Sequence, residues 1–176
     1  MSMGTQGVDL VVDPALTTRR YRAAVEGRDA AGVMGTLAAD GVLRSPISSL
    51  ALLQGRAEIL QVIEVVMDNV SDVVCLAELT GEDGDRALVV QGRIAGLAFE
   101  ETAWLRFDEQ GLISQLTLFI RPLAALTAFT AAIGPALAAR HSRTRALLAT
   151  ATTRPLAALT RQGDPVALRL TGTRRV

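Results

Sequence analysis

The stretch from Arg86 to Pro122 most constrains the fold, because its side chains alternate between apolar and polar with a period of two. From Leu97 to Phe107 every odd position is apolar except Glu101. Ala95-Gly96 fits a two-residue hairpin turn, and Asp108 to Gly111 fits a second turn. The stretch therefore predicts three antiparallel strands in a curved sheet, with one carboxylate in the apolar face.

The segments before this sheet predict helices and two further strands. N-cap and proline signals, together with apolar periodicity, predict three helices over residues 14–26, 30–39 and 56–70. Strands are expected over residues 42–45 and 72–79. Residues 47–55 are expected to form a loop at the rim or lid of a cavity. The elements predict an α+β fold.

The chain after the sheet is rich in helix formers and arginine. The heptapeptide Arg121–Thr127 recurs at Arg154–Thr160, and each copy places a proline at a first helical turn. Gly134-Pro135 is expected to end the first helix, and a second helix is expected to reach about residue 150. Gly163-Asp164-Pro165 predicts a turn before a short strand over residues 166–170.

Charge is unevenly distributed although the formal net charge is zero. Residues 1–139 carry 10 arginines against 17 acids, whereas residues 140–176 carry 8 arginines against one aspartate. Aromatic residues make up 3% of the chain, too few to interleave with a basic surface, so we expect no nucleic-acid partner. The tail is instead expected to dock on its own acidic body or to be solvated beside it.

Several classes of site are not expected. Cys75 is the single cysteine and lies in an apolar strand, so a buried thiol in a reducing cytoplasm is expected. No metal-ligand cluster or phosphate-binding glycine loop is visible, so we expect no metal and no cofactor. No apolar run of about 18 residues and no secretory signal is visible, so we expect a cytoplasmic protein without a membrane partner.

The order of elements and several short segments resemble the NTF2-like superfamily, the cone-shaped fold of ketosteroid isomerases and SnoaL-type polyketide cyclases. The segments that carry the resemblance are Arg20–Val25, Gly27–Asp29, Leu37–Asp40, Ser45-Pro46, Gly55, Leu105–Asp108 with Gly111, and Arg121-Pro122. The resemblance implies a curved sheet wrapped by three N-terminal helices. It predicts a loose N-terminus over residues 1–12, an NTF2-like domain over 13–132, and a basic helical C-terminal extension over 133–176, packed on or beside the domain.

The resemblance also bears on catalysis. Tyr21 falls where a ketosteroid isomerase has its oxyanion-hole tyrosine, but Ser45 and Ala103 occupy the positions of its two catalytic aspartates. A serine hydroxyl does not act as a base near neutral pH unless another group activates it, and an alanine side chain cannot donate a hydrogen bond. The resemblance therefore implies a related cavity without standard ketosteroid isomerisation.

Glu101 is the candidate acid or base, with Tyr21 as a hydrogen-bond donor, because a carboxylate in an apolar cavity has a raised pKa. The alternatives are that Glu101 reaches the cavity mouth, pairs with an arginine such as Arg44 or caps a helix end, and that Tyr21 only anchors its helix. Further cavity residues that we expect to contact a ligand are Ser45, Leu88, Val90, Phe99, Ala103, Leu116, Leu118 and Ile120.

Two functions follow. The first is binding of an apolar polyketide, terpenoid or steroid-like molecule, with cofactor-free isomerisation, cyclisation, dehydration or epoxide opening. Epoxide opening in relatives uses two carboxylates, and no second one accompanies Glu101 on its face. The second is a non-catalytic binding or dimerisation module. The resemblance implies a homodimer through the outer sheet face, where Trp104 and Arg106 lie.

Overall fold

The computed structural model describes residues 12–48 and 52–171, which form a mixed α+β fold. The described helices are α1 (Pro14–Glu26), α2 (Ala30–Met34), α3 (Arg56–Asn69), α4 (Leu123–Ala139) and α5 (Arg143–Thr171). The strands are β1 (Leu37–Arg44), β2 (Leu52–Gln54), β3 (Val70–Thr80), β4 (Arg86–Ile94), β5 (Leu97–Phe107) and β6 (Ile113–Arg121). The α+β class predicted from the sequence is confirmed.

The six strands form one sheet in the order β2-β1-β6-β5-β4-β3. All neighbouring strands are antiparallel except β1 and β6, which are parallel. Helices α1 to α3 pack against the inner face, and their apolar side chains form the main core with that face. The sheet is therefore mostly antiparallel, as predicted, with one parallel pair that joins the N-terminal strand to the last one.

The β4–β5 hairpin confirms the alternation in the sequence. Leu88 and Val90 are buried on the inner face, and Val90 is the cross-strand partner of Glu101. Ala95 and Gly96 form the two-residue turn with φ angles of 48° and 79°. Both angles lie in the left-handed region, which matches the right-handed twist of a hairpin and favours glycine at the second position.

The N-terminal helix begins and ends where the sequence predicts. Asp13 is its N-cap and accepts a hydrogen bond from the backbone N–H of Ala15 at 2.8 Å. The buried Thr17 hydroxyl donates to the carbonyl of Gly111 at 2.7 Å, which fastens α1 to the turn before β6. This anchor fixes which face of α1 points toward the sheet.

The prediction for residues 30–45 is partly wrong. Helix α2 ends at Met34 instead of residue 39, and β1 begins at Leu37 instead of residue 42. The cause is pairing with a distant strand: Leu37 is the partner of Ile113, and the Ile113 N–H donates to the carbonyl of Thr36 at 2.9 Å. Residues 52–54 of the predicted rim loop form β2, and residues 49–51 lie outside the described residues.

The predictions for the C-terminal segment are wrong in three places. Pro155 of the second heptapeptide copy lies inside α5, which begins at Arg143, and not at a first helical turn, so no helix ends near residue 150. Helix α4 continues through Pro135 to Ala139, although an interior proline removes one backbone hydrogen bond. Its side chains Ala125, Phe129 and Ile133 are buried in a second apolar cluster, and this burial offsets the cost of the proline. Helix α5 then runs unbroken to Thr171, so the expected turn at 163–165 and the strand after it are absent from the described chain.

The two copies of the repeated heptapeptide meet where α4 packs against α5. Thr127 and Thr160 occupy the same position in each copy, and their hydroxyl oxygens are 2.5 Å apart. Each hydroxyl also lies within hydrogen-bond distance of the carbonyls three and four residues before it in its own helix. The repeat thus forms a helical hairpin whose two sides are locally alike.

Two further expectations can be compared with the fold. Cys75 is a free thiol with 7% of its surface exposed, which confirms a buried cysteine. Across the part of the chain that the structure describes, no helix combines the length and apolar character that crossing a membrane requires. The loose segment predicted for residues 1–12 lies, except for Val12, outside the described residues.

Candidate functional site

An inner cavity of about 60 Å³ lies between the helices and the concave face of the sheet. Apolar side chains from α1, α2, α3, α4 and five strands form its wall. Two polar side chains complete this wall, those of Tyr21 and Glu101. The structure therefore brings Tyr21 and Glu101, the two residues that the sequence analysis paired, to the same cavity.

Each polar group is held by a rigid element. Tyr21 lies on the inner face of α1 with 3% of its surface exposed. Glu101 lies in the middle of β5, between its cross-strand partners Val90 on β4 and Ile120 on β6. Because hydrogen-bonded strands flank it on both sides, the backbone of Glu101 is fixed and its side chain points to the cavity.

Neither polar group has a hydrogen-bond or ion-pair partner among residues 12–48 and 52–171. Within that part of the chain, the one fully buried side-chain nitrogen or oxygen without a partner is the Nε of Arg86. Tyr21 and Glu101 both line the cavity. Glu101 is half-buried, and apolar side chains form the rest of the cavity wall apart from Tyr21.

The environment raises the pKa of both groups. Burial away from water raises the pKa of Glu101 from 4.5 to about 7, because the charged carboxylate loses its hydration. The pKa of Tyr21 is raised above its ordinary value of 10.0, first by burial and second by the negative charge of Glu101. Near neutral pH the protonated and the ionised forms of Glu101 are therefore both populated, whereas the Tyr21 hydroxyl keeps its proton and is available as a hydrogen-bond donor.

The structure separates the other predicted ligand-contacting residues into three groups. Val90, Phe99 and Leu118 line the cavity with Tyr21 and Glu101. Leu88, Ala103 and Leu116 face inward but are fully buried in the core and do not line it. Ser45 and Ile120 do not line the cavity; together with Arg44 they line a neighbouring cleft that shares Leu118 with it. Ser45 lies there because β1 ends at Arg44, one residue earlier.

Four cavity residues from α3 were not among the predicted ligand contacts. Val62, Ile63, Val66 and Met67 form one wall. The apolar periodicity of residues 56–70 predicts that this face is buried, but periodicity alone does not show that it borders empty space.

Phe129 of α4 also lines the cavity, although it comes from the segment after the sheet. Its ring lies 5.0 Å from that of Phe99 in an edge-to-face arrangement. The ring of Phe99 in turn lies over Gly92, where an added Cβ would be 2.7 Å from it. The lack of a side chain at Gly92 is thus what lets Phe99 occupy this end of the cavity.

The site has no metal-binding character. In the described ranges, histidine, cysteine, aspartate and glutamate form no group of three or more that could hold a metal ion. Glu101 stands alone among apolar side chains, and one carboxylate without further oxygen or nitrogen ligands does not satisfy a divalent cation. The arrangement is suited to proton transfer and hydrogen bonding.

Solved structures with the same fold include several enzymes and a steroid complex. A steroid delta-isomerase from Pseudomonas aeruginosa is 22% identical with a TM-score of 0.66, and the match covers 78% of this chain and 97% of that one. A second match is SalBIII, an epoxide hydrolase/cyclase-like enzyme with a role in pyran ring formation in the polyether salinomycin. It is 12% identical with a TM-score of 0.54, and the match covers 64% of this chain and 92% of that one.

A Mycobacterium tuberculosis protein in complex with estradiol-17beta-hemisuccinate is 19% identical, with a TM-score of 0.51 and coverage of 65% and 98%. At these identities the likeness establishes the fold alone. No curated protein matches the chain in sequence. The sequence matches the SnoaL-like domain over residues 18–116, which is more than half of the chain. The chain therefore belongs to the SnoaL-like domain family, and its fold is NTF2-like.

Proposed function

We propose that the cavity binds an apolar, oxygenated small molecule of the polyketide, terpenoid or steroid-like class, and that Glu101 transfers a proton on it. One observation carries this proposal: Glu101 and Tyr21 face the same apolar cavity, and neither has a protein partner among the described residues. Buried polar groups are normally hydrogen-bonded, so an unpaired pair in an apolar wall is suited to a ligand.

The reaction class follows from the roles of the two groups. The carboxylate of Glu101 removes a proton from a carbon next to a carbonyl, and the C–H electrons move to form an enolate. The Tyr21 hydroxyl donates a hydrogen bond to the enolate oxygen, where the negative charge develops. The carboxylic acid then returns the proton to the same or another carbon, so that the proton is conserved and nothing is oxidised.

This scheme covers isomerisation, and with a suitable leaving group or acceptor it covers dehydration or cyclisation. In epoxide opening Glu101 would give its proton to the epoxide oxygen as the C–O bond breaks, while a hydroxyl group of the ligand or a water molecule attacks the carbon and loses its own proton, with no second carboxylate among the described residues of the cavity lining to assist it. Structures with this fold include a steroid delta-isomerase and an epoxide hydrolase/cyclase-like enzyme. The activities of these two enzymes are the reason to test proton-transfer chemistry first.

The cavity must widen to hold such a ligand. Its volume of about 60 Å³ is enough for roughly two water molecules, whereas cavities that bind small organic molecules have about 300–1,000 Å³. Met67 in the α3 wall is half-buried and has an unbranched, flexible side chain, so its displacement would give the least costly entry.

The small volume favours a second candidate function, a non-catalytic binding or dimerisation module. Four large apolar side chains are exposed on strands β3 and β6: Val74 (46%), Leu76 (52%), Leu79 (58%) and Phe119 (55%). We propose that the outer sheet face pairs two copies of the chain. Sedimentation of the wild type against Phe119→Glu tests this, and a monomeric wild type would contradict it.

Deuterium exchange distinguishes the two functions. A 3-ketosteroid and a cyclic terpenoid ketone would be incubated with the protein in D₂O, and incorporation next to the carbonyl would be measured by mass spectrometry. Catalysis by the wild type that is lost in Glu101→Gln supports the enzyme. The matched control is Glu100→Gln, an exposed neighbour on β5. Binding without exchange indicates the non-catalytic module. If the protein neither binds these ketones nor catalyses exchange, both ligand proposals are refuted.

A further inference from the structure

A groove separate from the cavity runs between helices α4 and α5 and the β4–β5 turn. Its volume is about 710 Å³, within the range of about 300–1,000 Å³ for sites that hold small organic molecules. No residue lines both the groove and the cavity. The groove is therefore a distinct space, and what it binds does not depend on the function of Glu101.

The floor of the groove is apolar and made of small side chains. Ala128 and Ala132 of α4, Ala157 of α5 and Leu97 of β5 contribute to it. None of the groove residues is aromatic, so a nucleobase or a flavin would find nothing to stack on. A flexible alkyl chain fits such a floor, because its burial requires apolar contact without specific geometry.

The rim of the groove is cationic. Arg154 and Arg161 stand on it two helical turns apart, about 10 Å along the axis, and Gln162 adds an amide. Neither arginine forms an ion pair or a hydrogen bond with any residue that the structure describes, whereas Arg140 pairs with Glu64 at 3.4 Å. These two guanidinium groups are therefore available to an anion, and the arginine side chains are long enough for both groups to contact one carboxylate.

The other exposed apolar side chains of α5 do not belong to this rim. Leu159 is 68% exposed and lies two residues before Arg161, which places it about 200° away around the helix. Leu147 is 71% exposed and lies on nearly the same face of α5, seven residues before Arg154, but it is outside the groove, and the groove residues between the two arginines are alanines. This arrangement favours one bound amphiphile in the groove over contact with a lipid bilayer.

We propose that the groove binds a medium-chain fatty acid as its free carboxylate, with the alkyl chain on the alanine floor and the carboxylate between Arg154 and Arg161. Charge complementarity carries the choice of an anion, since residues 140–176 contain 8 arginines and one aspartate. Charge-assisted hydrogen bonds from guanidinium to carboxylate fix the head group. The apolar floor selects an alkyl tail over a free inorganic anion.

Calorimetric titration with decanoate and with uncharged decanol tests the site on the full chain. Decanoate is expected to bind the wild type, and Arg154→Gln/Arg161→Gln is expected to weaken it about tenfold or more. The matched control is Arg143→Gln/Arg145→Gln, which removes the same charge from the same helix outside the groove and should retain binding. Glu101→Gln should also retain it, which separates this site from the proposed cavity function.

A second variant tests the floor without changing charge. Ala158 lines the groove and is exposed, so Ala158→Leu should fold normally and should obstruct the alkyl chain. Equal weakening by the two double variants would overturn the proposal, because it would show a non-specific charge effect. Decanol binding as tightly as decanoate would overturn it too, as would binding to anionic phospholipid vesicles in place of decanoate.

Discussion

The ring of Phe129 on α4 meets the ring of Phe99 on β5 edge to face, with the centroids 5.0 Å apart and the planes at 79°. Both side chains are nearly inaccessible, at 2% and 4% exposure, and both line the inner cavity. Phe129 lies beyond the stretch that matches the SnoaL-like domain, residues 18–116. The segment after that stretch therefore closes one end of the cavity and limits its volume.

Phe129→Ala should enlarge the cavity and destabilise the fold by about 3–5 kcal/mol, the usual cost of removing a buried phenylalanine ring. If Phe129→Ala folds, it should bind a larger ketosteroid more tightly than the wild type does, because the space next to Phe99 becomes free. Urea unfolding gives the stability, and titration with ligands of increasing size gives the binding.

Leu123→Ala is the control for this change, since Leu123 is on the same helix and 60% exposed. Its free energy of unfolding should stay within about 0.5 kcal/mol of the wild type. If Phe129→Ala proves too unstable, Phe129→Leu retains part of the volume. Unchanged ligand selectivity in a folded Phe129 variant would show that the ring does not limit the cavity.

The sequence predicts the parts of this site that depend on local pattern. Alternation placed Glu101 on the inner face, and the Ala95-Gly96 turn set the register that pairs it with Val90. The start of β1 at Leu37 was not predictable locally, because pairing with Ile113 decides it across a long stretch of chain. The same holds for Phe129, whose helix was predicted but whose contact with Phe99 depends on tertiary packing.

The raised pKa of Glu101 should make stability depend on pH. The folded protein binds this proton with a pKa of about 7, against 4.5 without burial, so folding takes up a proton between these values. The free energy of unfolding should therefore fall as pH rises from about 4.5 to about 7 and remain lower above that. The loss attributable to Glu101 is roughly 3 kcal/mol at most.

Urea unfolding of the wild type, Glu101→Gln and Glu100→Gln at pH 5 and pH 8 measures this effect. Glu101→Gln lacks the ionisable group, so its stability relative to the wild type should increase from pH 5 to pH 8. Glu100→Gln retains Glu101 and should follow the wild type at both pH values. Parallel behaviour of all three proteins would mean that Glu101 is solvated in the folded state.

Two glycine substitutions should change stability in opposite directions. In Gly92→Ala the new Cβ would lie 2.7 Å from the Phe99 ring and 3.1 Å from the Ser71 carbonyl, so the ring must move, at a cost of about 1–3 kcal/mol.

In Gly163→Ala the Cβ meets nothing within 4 Å inside helix α5, so a gain of about 0.5–1 kcal/mol is expected. Thermal unfolding followed by circular dichroism measures both, and a neutral Gly92→Ala would contradict the close approach of Phe99.

Tyr21 can be titrated without labelling because it is the single tyrosine of the chain. Burial, and to a smaller extent the charge of Glu101, raise the pKa of its hydroxyl, so tyrosinate absorbance should stay absent through the ordinary pKa of about 10. It should appear together with loss of helical circular dichroism, because ionisation then requires unfolding.

Glu101→Gln should raise the pH at which Tyr21 ionises, since ionisation requires unfolding and the variant lacks the buried carboxylate that lowers the stability of the folded protein above pH 7. Glu100→Gln should leave that pH unchanged. A tyrosinate signal near pH 10 with intact circular dichroism would place the hydroxyl in water, and Tyr21 would then lose its proposed role as a donor in a dry cavity. A shift to higher pH that is confined to Glu101→Gln would instead show that the ionised carboxylate of Glu101 destabilises the fold that keeps the Tyr21 hydroxyl away from water.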